Sequence, residues 1–275
     1  IMVISLCCGK GGTGKSTSTC NIGAALAEHG KRVLLIDNDQ QGSLTLSLGY
    51  EPSALPSTLA NLMFQAIDMP ELLNETIERT IQQASDNLHL IPANKKLAGI
   101  LSRLVSMQNT RAMFPNDNDG ITPEKILSAI VERLKTRYDY ILIDTCPPLN
   151  TLTINALSAA DEVIIAANPQ FWAMVGLEDF LLTVKKIKNR VNSKLDVSGI
   201  LLTMCEERTN LCKVITEEVA ETFNGKLRIF DSKIPSTVKV GESVYYGEPL
   251  LEYAPRTKAC RMYQNLAKEL IADEG

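Results

Sequence analysis

Short runs of uninterrupted apolar residues alternate along the chain with longer stretches in which apolar residues recur every three or four positions. The first pattern marks strands buried on both faces, and the second marks amphipathic helices. Read this way, strands fall at Met2–Cys8, Arg32–Asp37, Leu88–Pro92, Tyr140–Asp144, Glu162–Ala167, Val197–Met204 and Leu227–Phe230. Helices fall at Ser16–His29, Thr58–Phe64, Lys96–Met107, Thr122–Thr136, Thr151–Ser158, Gly176–Val191, Leu211–Phe223 and Ala259–Ala272. The alternation predicts an α/β fold: a doubly wound, mostly parallel sheet flanked by helices on both faces. Two stretches break the pattern. Residues 109–120 (NTRAMFPNDNDG) read as a polar loop, and residues 232–249, with Pro235, Gly241, Gly247 and Pro249, as loop with one short helix. Apolar periodicity resumes directly on each side of both, so one domain over residues 1–275 is expected.

The junction between the first strand and the first helix carries the strongest chemical signal. Residues 9–17 read GKGGTGKST and satisfy the phosphate-loop pattern through Gly9, Gly14, Lys15 and Ser16. A strand precedes the loop and a helix follows it. Phosphate would therefore meet free backbone N–H groups and the positive end of the helix dipole. Gly11, Gly12, Thr13 and Gly14 form the close-fitting backbone, Lys15 would reach the outer phosphates, and the Ser16 hydroxyl would hold Mg²⁺ beside Thr17. Lys10 is a second lysine for which the bare pattern has no role.

Two acidic segments join this loop. Asp37 and Asp39 close the second strand in LLIDNDQQG, where the period of two puts both carboxylates on one face at the ligand-binding edge of a parallel sheet. Asp144 ends the run Tyr140–Ile143 and precedes Thr145-Cys146-Pro147-Pro148. An acid in that place reads as the Walker B position, holding Mg²⁺ through water, and the paired prolines would stiffen a segment that senses the terminal phosphate.

Composition narrows the classes. Hydrophobic content of 45% with 22% charged residues is that of an ordinary globular chain. The net charge of −4 excludes a global basic signature, so any DNA-binding surface must be a local patch. Seven cysteines at 7, 8, 20, 146, 205, 212 and 260, with no C-x-x-C pair, argue against a disulfide framework or a zinc site. No apolar run reaches the length of a membrane span, and neither a signal peptide nor a DNA-reading domain is expected ahead of the first strand.

KGGTGKST, followed by LLIDNDQQG and ILIDTCPP, resembles the deviant Walker A ATPases, and within them the ParA/Soj group of DNA-partition ATPases. The likeness runs from Met2 to about Lys268. It implies ATP or ADP with Mg²⁺ and an ATP-dependent homodimer in which Lys10 reaches across the two-fold axis to the partner's nucleotide. It makes Asp39 the residue that positions the attacking water and places Asp37 near the metal shell. The adenine is expected against Thr203-Met204 and Ile234-Pro235. TMCEERTNL is similar to the family segment whose arginine binds DNA, which makes Arg208 the candidate. The later family segment commonly reads IPRNVRLSEAP, but here it is IPSTVKVGESV, so Ser236 replaces one arginine and Lys239 another.

The resemblance implies a cytoplasmic protein, nucleoid-associated when ATP is bound, that holds duplex DNA non-specifically and answers to a ParB-like centromere-binding protein. The alternative is an ATP-dependent spatial regulator of the MinD/MipZ kind, acting through protein partners instead of DNA. A metabolic or metal-delivery ATPase of the same superfamily is a third class. Cys146 invites comparison with nitrogenase iron proteins, but no second glycine-flanked cysteine segment accompanies it. The MinD type ends in a basic amphipathic helix that lies on membranes. This chain ends LAKELIADEG, which is acidic at the tip, so membrane binding is not expected.

Overall fold

The computed structural model describes residues 1–8, 11–113, 120–147, 149–169, 173–206, 210–223 and 225–273. Its centre is a seven-stranded sheet of β1 (Met2–Cys7), β2 (Val33–Asn38), β3 (Gln82–Ser85), β4 (Leu88–Ile91), β5 (Tyr140–Thr145), β6 (Glu162–Ala167) and β7 (Asp196–Leu202). The spatial order is β3-β4-β2-β5-β1-β6-β7. Every pair is parallel except β3 with β4.

Alternation along the strands divides the interior into two cores. Val3, Leu34, Ile36, Ile141 and Ile143 face one side. That side is covered by α3 (Leu59–Asp68), α4 (Leu73–Thr80), α5 (Leu97–Met113), α6 (Ile126–Glu132), α7 (Thr151–Ala159), α8 (Ala173–Arg190) and α9 (Leu211–Thr222). Ile4, Leu6, Val33, Leu35, Tyr140 and Leu142 face the other. There α1 (Lys15–Glu28), α2 (Ser43–Ser47), α10 (Val238–Tyr246), α11 (Leu250–Tyr253) and α12 (Lys258–Ala272) pack. The doubly wound expectation therefore holds.

This winding creates the crevice. The loop after β1 leads to α1 on one face, while the loop after the adjacent β5 leads to α7 on the other. Diverging loops at the carboxyl ends of neighbouring strands leave a gap, and ligands of such sheets sit there. Helix α7 starts sharply because the Asn150 side chain accepts from the N–H groups of Leu152 (2.9 Å) and Thr153 (3.1 Å).

Several boundaries differ from the sequence reading. Residues 227–230 are not a strand: Ile229 makes one isolated bridge to Ile200, and the Phe230 ring lies against Gly199. The helix expected over 122–136 shrinks to α6, since Pro123 lies in a turn before it and the chain leaves helical bonding at Arg133. Helix α5 continues to Met113, through residues read as loop. Strand β3 and helices α2 and α4 are not visible in the hydrophobic pattern. β3 is a short polar edge strand with alternate residues exposed, and α2 has only five residues.

Candidate nucleotide and metal site

Lys15 opens α1 and is buried, with 6% of its surface exposed. Gly14 before it has φ 71° and no side-chain cap, so the first N–H groups of α1 point into the crevice unpartnered by the helix. Gly12 has φ 76°, a conformation that requires glycine, and a Cβ built there would meet no protein atom within 4 Å. The loop thus wraps open space. Thr13 Oγ1 is buried without a hydrogen-bond partner among the described residues, while the Thr13 carbonyl accepts from Thr203 Oγ1 at 2.8 Å.

The parallel register sets Asp37 of β2 directly beside Asp144 of β5, both fully buried on the α1 side. Their environments differ. Asp37 Oδ2 accepts from the Thr45 N–H (2.8 Å) and hydroxyl (2.7 Å), and Oδ1 accepts from the Asp39 N–H (3.2 Å). Neither oxygen of Asp144 has a hydrogen-bond partner among the described residues. Ser16 lies near enough to favour the ionised form of Asp144, but not in hydrogen-bond geometry. Burial, then repulsion from Asp37, raises the Asp144 carboxyl well above the ordinary carboxylate range. Burial also raises Asp37, with the Thr45 and Asp39 bonds opposing. Burial alone would lower the Lys15 ammonium, but Cys8 and Asp144 outweigh it and raise it.

A buried carboxylate with two unused oxygens beside a serine hydroxyl is a donor set for a hard divalent cation. Among the described residues no group of three or more His, Cys, Asp or Glu could hold a metal alone. An ion here would thus be shared with nucleotide phosphates, as suits Mg²⁺. Asp39 follows at the strand end, 8% exposed. Its Oδ1 accepts from the Gln41 N–H at 3.0 Å. The second oxygen makes no hydrogen bond among the described residues.

Beyond Gly14 and Thr17 the crevice opens into a cavity of about 360 Å³. Thr203, Met204, Ile234 and Pro235 all line it, so the structure brings the expected adenine residues against the phosphate loop. They are joined by the bonds Cys205 N–H to Ile234 O (2.9 Å) and Ile234 N–H to Leu202 O (2.9 Å). Met204 has φ 53°, the single positive value at a non-glycine among the described residues. Sequence reasoning missed the opposite wall, formed by Thr237, Val240, Gly241 and Val244 of the α10 region and by Tyr263 of α12. The four-residue spacing of Val240 and Val244 was the available signal. Thr45 was also missed, and nothing in the sequence pairs it with Asp37.

Gly9, Lys10, Pro148 and Arg208 lie outside the described residues. Lys239, the other basic residue read for DNA, is paired with Glu242 at 2.7 Å. Its ammonium also lies 5.8 Å from the Tyr253 ring centroid. No helix among the described residues is long and apolar enough to cross a membrane.

A family model described as an AAA domain matches residues 1–197. The chain is 36% identical over 271 residues to the sporulation initiation inhibitor protein Soj of Bacillus subtilis (strain 168), covering 98% of each. It is 35% identical over 266 residues to the chromosome-partitioning ATPase Soj of Treponema pallidum (strain Nichols), covering 97% of this chain and 95% of that one. Among solved structures, cobyrinic acid a,c-diamide synthase from Mycobacterium smegmatis with bound ADP and magnesium superposes with a TM-score of 0.78. That match is 28% identical and covers 98% of this chain and 94% of the other.

Proposed function

This chain belongs to the ParA/Soj-type partition ATPases of the ParA/MinD superfamily, and from that premise we propose that it is a single ATPase domain whose ATP-bound dimer holds duplex DNA without sequence preference. Hydrolysis, stimulated by a ParB-like centromere-binding partner, releases the DNA. The observation that carries the nucleotide part is Asp144, a buried carboxylate whose two oxygens lack any partner among the described residues and await a cation.

The phosphates of ATP take the free N–H groups from Gly11 to Thr17 and the Lys15 ammonium. Ser16 and Asp144 would hold Mg²⁺, which supplies charge neutralisation to the phosphates when bound. Thr45 and the Asp39 N–H fix Asp37 next to that centre. The Gln41 N–H holds one Asp39 oxygen, leaving the other to accept a hydrogen bond from water and orient it toward the γ-phosphate. The adenine enters the cavity between Met204 and α10. Lys10 completes the partner's site across the two-fold axis, so monomers bind ATP but do not turn it over efficiently.

The test is light scattering and DNA retention, with and without ATP, on the native chain and on Asp39→Ala. The variant should bind ATP, hydrolyse slowly and accumulate as a dimer that retains DNA. Normal turnover would move the water-positioning role elsewhere. A trapped dimer that ignores DNA at low salt would replace partition by positioning through protein partners.

A further inference from the structure

Resting on the nucleotide assignment above, we propose that Thr203 is a positioning residue for phosphate recognition: from the end of β7 its hydroxyl fixes the Thr13–Gly14 peptide, so that the Gly14 N–H is presented to the phosphates before nucleotide arrives. Thr203 Oγ1 lies 2.8 Å from the Thr13 carbonyl oxygen and 3.3 Å from that of Ala167. A hydroxyl has one proton to give. The Ala167 carbonyl already accepts the Thr203 N–H at 2.9 Å, so the shorter bond, to Thr13, takes that proton. The Thr13 hydroxyl has no partner among the described residues and does not share the task.

The consequence follows from peptide geometry. A trans peptide is planar, and its C=O and N–H point in opposite directions. A Thr13 carbonyl drawn toward β7 therefore turns the Gly14 N–H away from β7, to the concave side of the loop. The other side of Gly14 is held as well: its carbonyl accepts from the Ser18 N–H at 2.8 Å, in the first turn of α1. At φ 71° this place favours glycine, the residue whose backbone turns over most readily once a restraint is lost. A donor fixed in advance costs less to order when the ligand binds.

A direct contact between the Thr203 hydroxyl and the base fits less well. Thr203 and Met204 both line the cavity, but Thr203 is 2% exposed against 39% for Met204, and its hydroxyl proton is spent on the loop. Of the pair it is Met204 that offers its side chain to the base. The strand end also packs directly on the loop: a Cβ built on Gly14 would lie 3.7 Å from Met204 Cε and 3.9 Å from Thr203 Cβ. That strand end is itself tied down. The Cys205 N–H donates to the Ile234 carbonyl at 2.9 Å, and Asn168 Nδ2 to Met204 Sδ at 3.7 Å, around the positive φ of 53° at Met204. Thr203 is therefore a fixed anchor from which to orient a glycine-rich loop.

The test titrates ADP, and inorganic pyrophosphate as its competitor, against the full chain and against Thr203→Val, Thr203→Ala and Thr203→Ser. Pyrophosphate carries no base, so it reports on the loop alone. The valine and alanine variants should weaken both probes by the same factor, about three- to tenfold, the worth of one net hydrogen bond. Serine keeps the hydroxyl and should return both probes to about the parental affinity. If valine and alanine weaken ADP but leave pyrophosphate unchanged, Thr203 serves the base and the positioning role is wrong. If they keep parental affinity for both probes, or if serine is as weak as valine, the bond to Thr13 orients nothing and the proposal falls. A parent that binds ADP but not pyrophosphate has no pre-formed loop, which overturns the proposal and leaves the nucleotide site standing. A parent that binds neither overturns the nucleotide assignment itself.

Discussion

Replacing Asp144 by asparagine should stabilise the metal-free protein while abolishing its response to Mg²⁺. The side chain is fully buried, its two oxygens have no hydrogen-bond partner among the described residues, and its register neighbour Asp37 is a second buried acid. Ionised, the residue is repelled by Asp37 more than it is drawn to the Lys15 ammonium; protonated, it still leaves buried polar atoms unpaired. An unsatisfied buried polar group costs about 1–3 kcal/mol. Asparagine keeps the shape, removes the charge and offers an N–H donor toward Asp37. The expected gain is about 1–2 kcal/mol, or roughly 2–6 °C in melting temperature for a chain of this size. With ATP and Mg²⁺ the order should invert. At a hundred times its dissociation constant a ligand adds about 2.7 kcal/mol to the native state, and the variant loses the metal's share of that. Thermal melts of both proteins, in chelator and in Mg²⁺-ATP, decide it. A variant less stable than the parent in chelator would show that Asp144 is satisfied without a metal, and the cation argument would fall.

Lys15→Ala should weaken ATP by about 2–5 kcal/mol, because a buried charge partner of the phosphates is removed. By contrast, Lys10→Ala should leave monomer binding intact and prevent the ATP dimer; calorimetry and light scattering separate the two. Gly247→Ala should cost about 2–4 kcal/mol in urea unfolding and loosen nucleotide binding through α10. Its Cβ would lie 2.5 Å from Gly49 Cα, at φ 68°. Asp139 is held down to about 2, chiefly by its hydrogen bonds from Arg32. Its contribution is therefore present above the ordinary aspartate range and lost as pH falls toward 2. The pair is partly exposed, so Asp139→Asn should cost under about 1 kcal/mol at neutral pH, and the difference from the parent should vanish near pH 2. Acid titrations of both proteins measure it.

Six of the seven strands and the helices of the hydrophobic pattern were legible in the sequence, because burial on one or both faces imposes a period that residue types display directly. The phosphate loop was legible for a related reason: glycines at φ near 70° and a lysine at a helix start are local requirements, satisfied within nine residues. Asp37, Asp39 and Asp144 could be named from their places at strand ends. The sequence could not say that Asp37 is held by Thr45 and Asp39 while Asp144 has no hydrogen-bond partner among the described residues. That difference depends on which strands are neighbours and in what register, a property of the whole sheet. The far wall of the nucleotide cavity was hidden likewise. Val240, Val244 and Tyr263 come from two helices, brought together only when α10 and α12 pack on α1 and α2. β3 escaped because a half-exposed polar edge strand has no apolar signature, and residues 227–230 misled because apolar residues that anchor a return segment look like a strand until their partners are known.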